Sequence, residues 1–148
     1  MEQRYWLAAS ACLCGLPCRY DGRTNPHPEL EKWYREGKVL AICPEQLGGL
    51  STPRTPCEIT DGRVLDRNGR DRTAEYSLGA QRAWELCRKW NVKQVVLKSK
   101  SPSCGCGQVY DGSFTGRLVP GWGVAAALLR DKGLRVQDEK TPLPWIQK

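Results

Sequence analysis

Short runs of β-forming residues alternate along this chain with stretches of helical periodicity, and that alternation confines it to a narrow group of folds. Three β-like runs stand out, Arg4–Ala9, Lys38–Cys43 (KVLAIC) and Val92–Lys98 (VKQVVLK), with a weaker fourth at Leu134–Asp138. Between them Pro28–Glu36 reads as a helix that stops at Gly37, and Thr73–Asn91 as a second with Thr73 as its N-cap. In that second stretch Tyr76, Ala80, Ala83, Trp84, Cys87 and Trp90 recur at three- and four-residue steps, which marks one buried face. A third helix covers Trp122 to Lys132 and ends at Gly133. Asp61-Gly62 and Asp111-Gly112, each set among β-like residues, predict hairpins. The expectation is one α/β domain over residues 1–148: a small, mostly parallel sheet of about four strands, with flanking helices and inserted β-hairpins.

With 40% hydrophobic residues among 148, the chain can bury a core without covalent staples. It still carries eight cysteines. The N-terminal residues lack an apolar stretch of signal-peptide length, and no window approaches the ~20 apolar residues of a membrane span. The expected location is therefore the cytoplasm, where thiols stay reduced and serve as metal ligands, nucleophiles or small core residues. A net charge of +7 excludes an acidic disordered tail and favours an anionic or electron-rich partner.

The cysteines fall at telling places on this map. Cys12 lies just past the first strand, Cys43 closes the second, and Cys104 follows the third by a few residues. In an open parallel sheet the carboxyl ends of the strands share one edge, and ligands bind in the crevice outside it. Thiols 31 and then 61 residues apart in sequence would thus meet in space. Their loops, SACLCG, CPEQLGG and SPSCGCG, are rich in small residues that let backbone N–H groups approach an anion. Soft thiolates select zinc, Cu(I) or iron–sulfur. A zinc ribbon fits poorly, because the chain offers C-x-C at Cys12/Cys14 and Cys104/Cys106 but no C-x-x-C. One ligand per strand end would leave an iron–sulfur cluster with three thiolates and one open iron, a Lewis-acid position for a soft substrate atom.

The segments SACLCGLPCRYDG (10–22), CPEQLGGLSTPR (43–54), LKSKSPSCG (97–105), VYDGSFTG (109–116) and GWGVAAALLRDKGLRV (121–136) resemble the bacterial family associated with 2-thiouracil desulfurase. Together they cover nearly the whole chain. The resemblance implies an α/β domain whose three cysteines hold an oxygen-sensitive 4Fe–4S cluster and which converts 2-thiouracil, without net redox change, to uracil and sulfide. Matched motif by motif, the ligands are Cys12, Cys43 and Cys104, and the catalytic positions are Glu45 and Ser101. The substrate sulfur is expected on the open iron, with Glu45 as base toward water and Ser101 orienting the ring or the water. Implied partners are a small thiolated uracil and the iron–sulfur assembly machinery, with no membrane and no required nucleic acid. Cys18, in CRYDG, is an alternative ligand. Cys14, Cys57 and Cys106 depart from the family pattern, and Cys14 or Cys106 would compete for iron.

Plainer readings stand beside these. Cys87 belongs to an apolar helix face, and Cys57 near a hairpin reads as packing or surface. Ser101, before Pro102, is a natural turn former, as are Asp21 and Asp111 before glycine. Glu45 could be a solvated loop carboxylate, and His27, between prolines, reads as loop. Arg19, Arg23, Arg54, Lys98 and Lys100 lie near the expected crevice, as cluster or substrate contacts or as a solvated basic face. Two other functions fit the residues: cluster-dependent desulfuration of thiolated nucleosides or tRNA, and a zinc-holding interaction module without chemistry. A thiol redox protein is disfavoured by the missing C-x-x-C.

Overall fold

In a computed structural model, residues 4–142 are described; the two ends of the expected 1–148 domain lie outside them. The central sheet contains β1 (Leu7–Ser10), β2 (Val39–Ile42), β5 (Gln94–Leu97) and β8 (Arg135–Asp138), ordered β2-β1-β5-β8 with every pair parallel. β1 and β5 are buried along their whole length, as a parallel sheet covered on both faces requires. The chain runs from β1 to β2 on one side and later returns to β5 on the other. That reversal opens a crevice at the carboxyl ends of β1 and β5.

Among the described residues there are four α-helices: α1 (Pro28–Arg35), α2 (Pro44–Leu47), α3 (Thr73–Lys89) and α4 (Val124–Asp131). One apolar cluster joins Leu7, Leu13, Leu30 and Trp33 to Val96, and a second joins Ile42, Ala83, Cys87, Val95 and Leu129. Cys87 lies fully buried within the second. α2 crosses α3 at two glycines whose backbones nearly touch. A Cβ at Gly79 would stand 1.8 Å from the Pro44 carbonyl oxygen, and one at Gly48 2.0 Å from that of Glu75. The close crossing seats the turn that carries Cys43 and Glu45.

Two hairpins, β3 (Cys57–Thr60) with β4 (Arg63–Asp66) and β6 (Cys106–Tyr110) with β7 (Leu118–Trp122), stand outside the sheet. The first turns tightly at Asp61-Gly62, both residues having positive φ. The second does not turn at Asp111-Gly112. Its strands pair up to Tyr110 and Leu118, Asp111 N–H donates on to the Arg117 carbonyl, and beyond that Gly112 N–H is taken by the Glu58 carboxylate while Asp111 accepts from Ser113 N–H. Other expectations shift locally. Trp122 belongs to β7 rather than to the third helix, since it pairs with Cys106. Thr73 is the first residue of α3, not its cap: its hydroxyl accepts from Val64 N–H, while Asp71 accepts from Thr73 N–H. A 3-10 turn at Ala11–Cys14 and the short α2, neither visible in the sequence, follow β1 and β2 directly. Among the described residues no helix is long and apolar enough to cross a membrane.

Candidate active site

The crevice is a cavity of about 510 Å³, within the range of small-molecule pockets. Cys12, Cys43 and Cys104 line it together, brought there by the loops after β1, β2 and β5. Cys18 lines it as well, whereas Cys14 and Cys106 do not. The loop after the 3-10 turn folds back so that Asn25 N–H and the Thr24 hydroxyl both donate to the Cys12 carbonyl, at 3.0 Å each. The same loop brings Cys18 beside Cys12 and Cys43: the Cys43 thiol donates to the Cys18 carbonyl at 3.8 Å, and the Cys18 thiol acts on the titration of both sulfurs.

Their titration follows from this contact. The Cys18 hydrogen bond outweighs burial and lowers Cys43 to about 7, helped by Gln46 N–H and the Arg54 charge. Cys12 is lowered by the same neighbour against the pull of burial, with help from Asn25 and Lys98. Cys18 is pushed upward, first by its contacts with the Cys12 and Cys43 sulfurs and then by burial. Cys104 is buried, and that burial pushes it up to about 12 despite the Ser10 and Ser103 hydroxyls, which pull it down. Burial likewise raises Cys14 and Cys106 to about 12, away from the cavity.

Glu45 extends from α2 into the cavity beside these sulfurs, with a donor on each oxygen. Arg54 Nε donates to Oε1 at 2.9 Å, and Ser103 Oγ donates to Oε2 at 2.9 Å. The Tyr76 phenol is buried on α3, and burial foremost, then nearby Glu45 and Cys57, push its pKa upward. Arg54 also donates from Nη2 to the Cys18 carbonyl at 2.8 Å, and from Nη1 to Thr52 Oγ1 at 2.9 Å and Ser51 O at 3.2 Å. Its side chain is only 8% exposed, so one guanidinium ties the Cys18 loop, the carboxylate and the 51–54 turn together.

Ser101 organises its own turn. Its hydroxyl accepts from Cys104 N–H at 2.7 Å and Ser103 N–H at 3.2 Å, and lies 3.1 Å from Ser103 Oγ. Within the described contacts the hydroxyl that reaches Glu45 is that of Ser103, which also donates to the Cys104 sulfur at 3.5 Å. The sequence marks Tyr76 only as part of a buried helix face, and the only signal for Ser103 is its place in the SPSCG motif. His27 caps α1, its Nδ1 accepting from Leu30 N–H, and lies away from the cavity.

The donor set suits a sulfide-bridged iron cluster. Buried thiols from separate loops face one cavity, with Lys98 and Arg54 placed to offset negative charge at Cys12 and Cys43. Among the described residues no three Cys, His, Asp or Glu side chains are grouped to hold a single metal ion.

Residues 7–141 match the sequence model of the family described as 2-thiouracil desulfurase. The Bacillus subtilis (strain 168) protein YbbK, described as uncharacterized, is 39% identical over 143 residues, covering 90% of this chain and 95% of its own length. A solved structure described as the 4Fe-4S-dependent thiouracil desulfidase TudS is 42% identical with a TM-score of 0.88, over 95% of this chain and 93% of that one.

Proposed function

The chain belongs to the 2-thiouracil desulfurase family, and from that premise we propose that it hydrolyses 2-thiouracil to uracil and hydrosulfide with a 4Fe–4S cluster held by Cys12, Cys43 and Cys104. The observation that carries this reading is the meeting of those three buried or half-buried thiols with Glu45 in one cavity. When bound, the cluster supplies a Lewis-acid iron for the soft thione sulfur, which makes C2 more electrophilic and the sulfur a better leaving group.

The remaining work falls to the chain. Glu45 takes a proton from the water that attacks C2; Arg54 and Ser103 hold the carboxylate in place, and each oxygen keeps a second lone pair for that water. Arg54 fixes its orientation, and Ser103 links it to the Cys104 loop. Ser101 shapes that loop and offers a hydroxyl to the ring or the water through Ser103. Carbon gains oxygen as it loses sulfur, so no external reductant is needed.

Anaerobic reconstitution with iron and sulfide followed by 2-thiouracil tests the reading: uracil and sulfide should appear together, with about four iron per chain. One zinc per chain and no uracil would replace it with the binding-module alternative. A thiolated nucleoside is the second reading, favoured by a cavity of about 510 Å³ that carries Arg67 and Lys100 on its wall. Comparing kcat/KM for 2-thiouracil and its ribonucleoside decides between the two.

A further inference from the structure

Phe114 is the only phenylalanine in the chain, and it stands on the wall of the cavity that holds Glu45 and the thiols. Its backbone has φ 58°, a left-handed conformation in which bulky residues are outliers. Such strain persists only where surrounding structure imposes it, and it concentrates at ligand sites.

The surroundings do impose it. The nearly buried Glu58 carboxylate on β3 accepts from both Gly112 N–H at 2.9 Å and Phe114 N–H at 3.1 Å. Gly112 is pressed onto β3 so closely that a Cβ would fall 2.1 Å from Thr60 Oγ1. Asp111 tightens the turn by accepting from Ser113 N–H at 2.9 Å. The loop is thus clamped to a strand at the cost of burying a carboxylate, and the clamp fixes one aromatic ring at the cavity wall. The Arg67 guanidinium, also on that wall, lies 5.6 Å from the ring centroid.

A thiolated pyrimidine is planar, and alongside hydrogen bonds to its edge its faces offer stacking surface. Aromatic faces and guanidinium planes are the surfaces on which bases stack. We propose that Phe114 is the platform on which the pyrimidine ring of the substrate stacks, with the 111–117 loop clamped by Glu58 to present it. The proposal rests on the functional reading above and adds the residue that selects a flat ring.

Uracil, which lacks the sulfur, isolates ring binding from any bond to iron. Its affinity for the reconstituted protein is measured by saturation-transfer NMR, which reads weak binding, alongside kcat and KM for 2-thiouracil. Phe114→Leu keeps the side chain's bulk and apolar character but removes the aromatic face; it should weaken uracil binding about 10- to 100-fold and raise KM more than it lowers kcat. Phe114→Tyr should restore binding to within about twofold of wild type. Phe114→Leu binding uracil like wild type, or Phe114→Tyr binding as weakly as Phe114→Leu, would overturn the stacking role alone. A wild-type protein that neither binds uracil nor acts on 2-thiouracil would overturn the functional reading itself.

Discussion

Replacing Arg54 by methionine tests whether one guanidinium holds the site together. The side chain is 8% exposed, and its partner Glu45 is 13% exposed. Burial pulls the guanidinium pKa down, but the adjacent carboxylate more than restores it, leaving it above its ordinary value. Arg54→Met keeps much of the length and bulk while deleting four hydrogen bonds, to Glu45 Oε1, Cys18 O, Thr52 Oγ1 and Ser51 O. Removing one partner of a buried ion pair strands the other, a loss of about 3–5 kcal/mol. For a chain of this size that corresponds to a fall in Tm of about 6–20 °C. Arg54→Lys retains the charge but not the fork, so it should lose about 1–3 kcal/mol. The assay is urea unfolding of the cluster-free protein under anaerobic reducing conditions, because a bound cofactor would mask the change by mass action. In a double-mutant cycle with Glu45→Gln, the pair should cost at least about 1 kcal/mol less than the sum of the single variants. Strict additivity, or an Arg54→Met protein within about 1 kcal/mol of wild type, would refute the reasoning.

Three further outcomes follow from the same contacts. Gly79→Ala would ordinarily strengthen a helix by about 1 kcal/mol; here its Cβ meets the Pro44 carbonyl oxygen, so the urea midpoint should fall and iron loading should fall with it. Ser103→Ala deletes the hydroxyl on Glu45 Oε2 and should lower kcat roughly 10- to 100-fold and stability by about 1–3 kcal/mol, with iron content near wild type. Asp71 is held at about 2, below its ordinary 3.8, first by the Thr73 side chain and backbone and then by Arg63. A depressed carboxylate stabilises the fold fully above its unfolded pKa and loses that contribution as pH falls through its folded value. Asp71→Asn should therefore flatten the decline in stability between pH 3.8 and about 2 in acid titrations followed by circular dichroism.

What could be read from the residues was whatever depends on period and on strand ends. KVLAIC and VKQVVLK announce buried parallel strands, and thiols placed just beyond strand ends must reach a common rim. The chemistry between loops was less legible. Cys18 shares the cavity with Cys12 and Cys43 through a loop that Thr24 and Asn25 tie back to the Cys12 carbonyl, a closure no periodicity encodes. Ser101 and Ser103 look alike in SPSCG, and the geometry of that one turn decides which hydroxyl meets a carboxylate 58 positions away. Asp111-Gly112 carries the letters of a two-residue turn, yet Glu58 captures its backbone from a strand distant in sequence. Arg54 could be placed near the crevice by charge, but its partners lie as far away as Cys18.

The wide separation of the rim thiols also sets a timetable for biosynthesis. A nascent chain that has not reached Cys104 possesses only part of the proposed ligand set, and the rim does not exist until β5 has docked beside β1. Iron delivery must then wait until most of the polypeptide has left the ribosome, and colour acquired by the protein becomes a readout of finished folding.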